Sequence, residues 1–403
     1  MKEFTIGRLI TFARFMKLTF WGAARQVTGS MYMLETQKGY RVLIDCGLDY
    51  EQQRNLHDNP SRHFPFSPAS ISILILTHAH IDHSGNIPNL VSQGFRGHIF
   101  CTPATADIVK HLLLDSANIQ AGDARKVKNR YKKGRKDPEA IPLFTQKDVM
   151  KSMEQIITLD FHKPFRLNDA LQFTFYEAGH LLGAASVVVE FTENGHTQSI
   201  GFTGDLGRNN SKLVKNPEQM PELNYLITES TYGGRTHKVQ HDAESELLYH
   251  IKETCVKING KLVIPAFSVG RTQAIIYTLN RLDKQGLLPR IKVFVDSPLA
   301  LRTTPYYEQY QHQLNEEART FYSWQGDLFD FENLTFVQTP ADEKDLFYCH
   351  EPYVIISAAG MVEGGRIQEH VKNHVQNPFS TILIAGYCAE GTLGARLLSG
   401  QKT

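Results

Sequence analysis

Three histidines and one aspartate lie within six residues of this chain, directly after a short apolar run. The run, ISILIL, is typical of a buried strand, and residues 77–83 (THAHIDH) follow it. Imidazole and carboxylate groups are the ligands that zinc and related metals prefer. Four such groups would crowd one ion, but two adjacent ions could share them, with His78 and His80 on one ion. Asp82 and His83 would then bind the other, unless the segment is a polar loop that is rich in histidine by chance.

Two later segments supply further candidate ligands at the ends of predicted strands. His180 lies in the segment EAGHLLGAAS, between the strand-like runs FTF and VVV. Asp205 lies in the glycine-flanked turn GFTGDLG, which follows another predicted strand. Taken alone, a histidine at a strand end is more often structural, and a Gly-Asp turn is common. Together with the first motif, these two residues could complete a metal site.

The order HxHxDH, then His180, then Asp205 resembles that of the metallo-β-lactamase superfamily over about the first 230 residues. Asp45, at the end of the run RVLID, matches the family's aspartate that orients a ligand histidine. The alternative is that Asp45 merely begins the following turn. The resemblance implies a first metal bound by His78, His80 and His180 and a second bound by Asp82 and His83, with Asp205 bridging the two.

The segments after Asp205 carry a second resemblance. They alternate strands and helices, which predicts a parallel sheet with helices on its faces. The motifs TESTYG, PAFSVGRTQ, VDSPLA, SAAGMVEGGR and GYCAEGTLG resemble the β-CASP domain, which is inserted in nucleic-acid-processing members of the superfamily. The implied fold class is α/β, a metallo-β-lactamase αββα sandwich with an inserted β-CASP domain that contains a parallel sheet.

The resemblance also divides the chain, whose 403 residues are many for one domain. We expect a metallo-β-lactamase domain at residues 16–228, a β-CASP domain at 229–394 and the start of a return segment at 395–403. Residues 1–15 mix three basic side chains with apolar ones and show no cleavage site of a signal peptide. We therefore expect them to be a dispensable N-terminal extension.

The family's two C-terminal histidine motifs, one near the leaving group and one at the second metal, are not found before residue 403. Either the sequence is a truncated product of a longer gene, or the chain is a degenerate form with a damaged second site. We favour truncation, because every upstream ligand is intact. The chain as it stands would then bind the second metal more weakly, and its catalysis would be impaired.

The resemblance implies a zinc-dependent hydrolase that is most similar to RNA-processing nucleases. Two Zn²⁺ ions would activate a bridging hydroxide for attack on an RNA phosphodiester bond. The predicted catalytic residues are Asp82, Asp205 and Glu229, the last of which matches an acidic motif that helps to orient a histidine near the leaving group. Glu229 could instead be a strand-end carboxylate in water. A noncatalytic RNA-binding protein is the alternative function, and the inserted domain disfavours a small-ester hydrolase.

The turn SAAGMVEGGR precedes a predicted helix and could bind an RNA phosphate through backbone N–H groups and the helix N-terminus. Its arginine, and the arginine of PAFSVGRTQ, could add charge-assisted hydrogen bonds. Glycines that only allow a tight turn are the alternative. The predicted phosphate-binding residues are Arg271, Ser357, Gly360, Gly364, Gly365 and Arg366.

Charge and cysteine content constrain the partners and the compartment. The formal net charge is +1, so nucleic-acid binding would need a local patch. Residues 125–136 hold eight basic side chains in twelve, which predicts either a solvated loop or a contact with an RNA backbone. Five scattered cysteines without a CxxC pair indicate reduced thiols and a cytoplasmic protein. Single-stranded RNA is the expected partner. No apolar run is long enough to span a membrane, and the sequence leaves open whether the protein forms an oligomer.

Overall fold

The computed structural model divides the chain into two compact units. The first unit contains Met1–Asn209 and Asn216–Gly234, and the second contains Asn210–Lys215 and Arg235–Thr403. The residues that the structure describes are 9–12, 16–49, 62–131, 141–193, 195–234 and 242–400.

The first unit contains a seven-stranded sheet whose strands lie side by side in chain order. These strands are β1 (Leu9–Phe12), β2 (Met16–Phe20), β3 (Tyr32–Thr36), β4 (Arg41–Ile44), β5 (Ile73–Ile75), β6 (His98–Cys101) and β7 (Ile156–Thr158). Pairing is antiparallel from β1 to β4 and parallel from β4 to β7. The inner strand β5 is buried along its whole length, as expected for a parallel strand that is covered on both faces.

A second sheet of five strands completes the sandwich of the first unit. Its strands are β8 (Phe165–Asn168), β9 (Leu171–Glu177), β10 (Ala185–Glu193), β11 (His196–Phe202) and β12 (Tyr225–Ile227). The spatial order is β12-β11-β10-β9-β8, and only the pair of β11 with β12 is parallel. Valine and phenylalanine side chains are frequent in these strands, which suits a half-buried pleated surface.

The core of the first unit lies between the two sheets. Phe173 of β9 contacts Phe100 of β6 with ring centroids 5.4 Å apart, so the two sheets meet through aromatic side chains. Each fully buried side chain of this size contributes about 1.5–3 kcal/mol of transfer free energy. The buried residues that form this cluster include Leu18, Ile44, Ile75, Phe175, Val187 and Phe202.

Four α-helices lie among the described residues of the first unit. They are α1 (Ile81–Ser84), α2 (Ile87–Ser92), α3 (Pro103–Tyr131) and α4 (Gln146–Met153). The basic block predicted at residues 125–136 therefore begins as helix, not as loop, up to Tyr131. Residues 132–136 and the side chains after Arg125 lie outside the part of the chain that the structure describes.

The second unit is built on a five-stranded sheet in which every pair of neighbours is parallel, as predicted. The strands are β13 (Lys261–Pro265), β14 (Lys292–Asp296), β15 (Leu334–Phe336), β16 (Tyr353–Ser357) and β17 (Ser380–Ile382). Their spatial order is β15-β14-β16-β13-β17. Strand β16 is buried at all five positions, which is typical of a parallel strand between two layers of helices.

Helices connect the strands of the second unit. They are α5 (Ala243–Ile251), α6 (Arg271–Lys284), α7 (Pro298–Thr303), α8 (Pro305–Gln309), α9 (Glu316–Gln325), α10 (Pro340–Phe347), α11 (Ile367–His374) and α12 (Leu393–Leu398). Their starts are well defined by side chains, since Ser297 accepts a hydrogen bond from the Ala300 N–H before α7. Asn315 caps α9 in the same way through the Ala318 N–H at 2.7 Å.

The units differ in detail from the domain limits predicted from the sequence. The first unit extends to Gly234, past the predicted boundary after residue 228, and Asn210–Lys215 belong to the second unit. In that segment Val214 pairs with Leu314. Residues 9–12 of the predicted N-terminal extension form β1, which pairs with β2. That the extension is dispensable stays a prediction, as do the limits of the functional domains.

Two general features concern the cysteines and the helices. All five cysteines lie within the described residues and are free thiols. Among the helices that the structure describes, none combines the length and the apolarity that crossing a bilayer requires.

Candidate metal centre

The segment THAHIDH leaves the end of β5 and turns directly into α1. His80 is the residue before the helix, and the Ser84 hydroxyl donates hydrogen bonds to the carbonyl oxygens of Ala79 and His80 at 2.9 Å. The Ala185 N–H at the start of β10 donates to the Thr77 carbonyl at 2.9 Å. This bond joins the two sheets where the motif begins, so strand ends from both sheets present their side chains together.

One group of candidate ligands consists of three histidines and one aspartate. The Nε2 atom of His180 lies 3.1 Å from Nδ1 of His80 and 3.5 Å from Oδ2 of Asp205. The Nε2 atom of His78 lies 3.7 Å from the same carboxylate oxygen. One ligand atom from each of the four residues lies within 4.8 Å of all the others, a separation that one ion could bridge.

A second group shares Asp205 with the first. The Nε2 atom of His83 lies 3.1 Å from Oδ1 of Asp205 and 4.0 Å from Oδ2 of Asp82. Asp82, His83 and Asp205 again offer ligand atoms within 4.8 Å of one another. The two oxygens of Asp205 thus face different groups of ligands, Oδ2 toward His78 and His180 and Oδ1 toward His83.

Burial and close charges shift the pKa values of several side chains in these two groups. Burial, with the neighbouring His83, holds the pKa of His78 well below its usual range. Burial raises the pKa of Asp82 to about 6. Burial opposes the charge on Asp205, yet His83 and the other histidines hold the pKa of Asp205 well below its ordinary value. The cluster therefore favours neutral His78 and ionised Asp205, which are the states that bind metal. Burial lowers the pKa of His83, but Asp205 and Asp45 outweigh it and hold that pKa well above its ordinary value, so His83 must release a proton to bind metal.

Asp45 lies beneath the cluster and is only 1% exposed. Its Oδ2 atom lies 2.7 Å from His83 Nδ1 and accepts a hydrogen bond from the Thr77 hydroxyl at 2.9 Å. Its Oδ1 atom accepts the Thr77 backbone N–H at 2.8 Å. A carboxylate can only accept, so Asp45 takes the proton on Nδ1 of His83 and leaves the Nε2 atom facing Asp205. Asp205 accepts the Nε2 proton in the metal-free chain, and a metal ion at this position would replace that proton.

Thr77 extends this arrangement to a second ligand, a role that the sequence analysis did not anticipate. Its hydroxyl lies 3.0 Å from Nδ1 of His78. Because the hydroxyl proton is already given to Asp45, the hydroxyl oxygen is set to accept a proton from His78 Nδ1. The Nε2 atom of His78 is then an unprotonated lone pair, and it is buried without a hydrogen-bond partner among the described residues. Such an orphaned nitrogen fits a metal ligand.

Glu229 restrains the turn that carries Asp205. Its Oε1 atom accepts the backbone N–H of Leu206 at 3.0 Å. Its own N–H donates to the Thr203 hydroxyl at 3.3 Å. Among the described residues its carboxylate contacts this turn, next to Asp205, and its role near a leaving-group histidine stays a prediction. The alternative, a strand-end carboxylate in water, also stays open, although the carboxylate has one defined partner in the Leu206 N–H.

Two glycines allow the loops around the ligands to pack directly on one another. A Cβ atom on Gly47 would lie 1.6 Å from the carbonyl oxygen of Asp82. A Cβ atom on Gly207 would lie 1.7 Å from the carbonyl oxygen of Gly179, next to His180. The sequence signal was present, since each glycine stands two residues after an aspartate of the cluster, but spacing alone does not reveal the facing backbone.

The residues predicted to bind phosphate lie in the second unit, and several of their side chains are already engaged. The Arg366 guanidinium donates to Asp296 at 2.6 Å and contacts Glu343 at 2.8 Å. The Ser357 hydroxyl is buried and donates to the Asp296 carbonyl. Two carboxylates neutralise Arg366, which weakens its attraction for a phosphate.

The glycines of the same turn have structural reasons to be glycine. Gly364 has φ of +127° and Gly365 has φ of +70°. A Cβ atom on Gly360 would lie 2.9 Å from the Phe267 ring. These observations favour the alternative of a tight turn. Arg271 begins α6 and is exposed, and its phosphate role, like that of the others, stays a prediction.

His370 and His374 stand four residues apart on α11 but do not form a metal pair. His370 Nε2 lies 2.7 Å from Asp296 Oδ2. His374 lies 3.2 Å from the Tyr353 hydroxyl and 3.1 Å from the Ser380 hydroxyl. Among the described residues, both groups with metal-binding geometry lie in the first unit.

The sandwich of two sheets, with histidines and aspartates gathered at its strand ends, defines a hydrolase of the metallo-β-lactamase fold, a class whose centre holds divalent metal. Residues 40–235 match the Beta-lactamase superfamily domain, and residues 272–397 match the Beta-Casp domain. The chain belongs to the β-CASP family of the metallo-β-lactamase superfamily.

Named relatives extend over nearly the whole chain. Ribonuclease TTHA0252 of Thermus thermophilus is 32% identical over 384 residues, which are 95% of this chain and 82% of the relative. An RNase J-like protein of Methanocaldococcus jannaschii is 29% identical and covers 96% of this chain and 81% of its own length. Transcription termination factor FttA of Methanosarcina mazei is 29% identical over 99% of this chain, which spans 61% of that relative.

Proposed function

We propose that this chain is a zinc-dependent ribonuclease that hydrolyses phosphodiester bonds of single-stranded RNA. The observation that carries the proposal is the position of Asp205, whose two carboxylate oxygens face two different groups of candidate ligands. His78, His80 and His180 would hold one zinc ion, and Asp82 and His83 the other, with Asp205 between them. Zinc bound there would activate water and stabilise negative charge on the phosphoryl oxygens.

The chain's own residues would prepare the centre for this chemistry. Asp45 and Thr77 face the Nδ1 atoms of His83 and His78, which leaves the Nε2 atom of each ring to face a metal. Asp82 and Asp205 supply anionic oxygens, and Asp205 is in position to orient a water molecule for attack. Glu229 holds the Asp205 turn through the Leu206 N–H, so we assign it a positioning role.

The choice of RNA as substrate is supported by the relatives. One is named a ribonuclease, one an RNase J-like protein and one a transcription termination factor. We propose that the β-CASP domain spans about residues 229–394 and contacts the RNA backbone, and the match of residues 272–397 to the Beta-Casp domain supports this. We also propose a cytoplasmic location, in keeping with five free thiols.

The test is RNA cleavage by the zinc-loaded chain. We expect His78→Ala and Asp205→Ala to abolish hydrolysis while the far-UV circular dichroism stays unchanged. His196→Ala is the matched control, because His196 is exposed on β11 and belongs to neither ligand group. Activity that survives in either ligand variant would contradict the proposal.

A noncatalytic RNA-binding protein is the second candidate, and one observation favours it. Among the described residues the second ligand group offers three side chains, whereas the first offers four. A weaker second metal would leave binding without turnover. RNA retention that is unaffected by a chelator, with no cleavage at any zinc concentration, would select this function over the first.

A further inference from the structure

Two loops beside the proposed metal centre carry exposed side chains that the ligand chemistry does not use. One loop follows β11 and contains Asp205, and the other follows β12 and contains Glu229. Because β11 and β12 are parallel neighbours, the two loops leave the sheet at the same end of the strands. The Glu229 carboxylate accepts the Leu206 N–H at 3.0 Å, so the loops are joined near Asp205.

The two loops bring an arginine and a tyrosine together. The guanidinium carbon of Arg208 lies 5.9 Å from the centroid of the Tyr232 ring, which is within the range of a cation–π contact. Tyr232 stands in a turn that closes when the Gly233 N–H donates to the Ser230 carbonyl at 3.0 Å. Its side chain remains 37% exposed. The pair therefore presents aromatic surface and positive charge to solvent.

Chain connectivity keeps this pair close to the proposed centre. Arg208 is three residues after Asp205, and Tyr232 is three residues after Glu229. Three residues span at most about 11 Å even when fully extended. A nucleotide next to the phosphate under attack is therefore within reach of the pair.

We propose that Tyr232 stacks on a nucleobase next to the phosphodiester bond under attack, and that Arg208 supports the ring and attracts the adjoining phosphate. This inference rests on the proposed ribonuclease function and names a substrate-contacting residue for it. An aromatic face accepts any base, since every base has a π surface, and a guanidinium beside it suits the polyanionic backbone. The contact gives affinity for single-stranded RNA without selecting a sequence.

The experiment measures binding, so it does not depend on cleavage. Fluorescence anisotropy follows a labelled single-stranded RNA of twelve nucleotides with the full chain in EDTA, where no hydrolysis can occur. We expect Tyr232→Leu to weaken binding about 5- to 150-fold, the range for loss of one stacked base. Tyr232→Phe should bind like the parent, because it keeps the ring. Tyr249→Leu is the control, since it removes an exposed tyrosine of the second unit.

An RNA of the same length with abasic sites throughout separates stacking from charge. The Tyr232→Leu variant should bind this abasic strand as tightly as the parent does, whereas Arg208→Ala should weaken the binding of both the intact and the abasic strand. Equal affinity of the parent and Tyr232→Leu for intact RNA would overturn the inference. So would a loss in Tyr232→Phe as large as that in Tyr232→Leu, because the hydroxyl would then be the contact.

Two further readouts keep the test decisive. If Tyr232→Leu does not fold, the fluorescence of Tyr232→Trp replaces it, and intact RNA but not the abasic strand should quench the new indole. Absence of that quenching overturns the inference. A chain that binds as expected but never cleaves RNA with zinc contradicts the proposed function alone, so the two failures can be told apart.

Discussion

The Nδ1 atom of His83 lies 2.7 Å from Oδ2 of Asp45, and both residues are almost fully buried. The same oxygen accepts the hydroxyl of Thr77, which in turn lies 3.0 Å from Nδ1 of His78. One carboxylate therefore acts on two candidate ligands, one directly and one through a hydroxyl. Because these ligands belong to different groups, Asp45 couples both halves of the proposed centre.

Replacing the carboxylate tests this coupling. Asp45→Asn should lower zinc affinity about 10- to 100-fold, the usual effect of removing a partner that orients a ligand histidine. The amide can donate toward His83 and so no longer enforces one tautomer. Competition with a chromophoric chelator measures the affinity. Asp160→Asn, at an exposed ion pair with Lys163, is the control and should leave affinity unchanged. Identical affinities in both variants would show that Asp45 does not orient the ligands.

The Thr77 hydroxyl can be removed without changing the shape of the side chain. Thr77→Val should lower the free energy of unfolding of the metal-free chain by about 1–3 kcal/mol, because Asp45 and His78 each lose a buried partner. Thr77→Ser keeps the hydroxyl and should recover most of the loss. Urea unfolding measures both variants. Equal stability of Thr77→Val and the parent would mean that the hydroxyl contributes nothing there.

Asp296 holds the turn SAAGMVEGGR in the second unit. Its carboxylate contacts Arg366 at 2.6 Å and His370 at 2.7 Å. Asp296→Asn should lower the free energy of unfolding by about 1–3 kcal/mol. The loss is smaller than for breaking a fully buried ion pair, because Arg366 is partly exposed and keeps its contact with Glu343. Thermal unfolding measures the loss. Glu351→Gln, in an exposed pair with Lys292, should be close to neutral, and a similar loss there would argue against a special role for Asp296.

The lowered pKa of His374 leads us to expect that the stability of the fold depends on pH. Burial lowers the pKa of His374 to about 4, helped by Lys261 and His370, from an ordinary value of 6.5. Between these values the unfolded chain binds a proton that the folded chain does not. The contribution of neutral His374 to the free energy of unfolding should therefore be fully present above about pH 6.5. It should fall as the pH drops toward 4, by up to about 1.4 kcal/mol per pH unit.

The comparison is between the parent and His374→Gln, each unfolded in urea at a series of pH values. The variant cannot take up this proton, so its stability should fall less steeply through the same window. Parallel curves for the two chains would show that His374 does not contribute to the acid sensitivity.

Much of the site was predictable because its chemistry is concentrated in short segments. The spacing of HxHxDH, with His180 and Asp205 at later strand ends, identified all six side chains that the structure gathers into two groups. The parallel sheet of the second unit was predictable from strands that alternate with helices. Both predictions depend on patterns that are local in the sequence.

Other features depend on partners that lie far apart along the chain. The pairing of Arg366 with Asp296, seventy residues earlier, depends on the order of the strands, while the phosphate role of Arg366 stays a prediction. The role of Thr77 depends on Asp45, thirty-two residues earlier and directly after strand β4. The segment Asn210–Lys215 joins the second unit through the pairing of Val214 with Leu314. No local pattern reports such contacts, because they arise only when the sheets assemble.

Anomalous diffraction from crystals of the chain grown with zinc locates the metal ions at the zinc absorption edge. We predict two peaks about 4 Å apart, each about 2.0–2.2 Å from a different oxygen of Asp205. One should be bound by His78, His80 and His180, and the other by Asp82 and His83. A single peak that Asp205 does not contact, or no peak among these residues at saturating zinc, would contradict a shared two-metal centre.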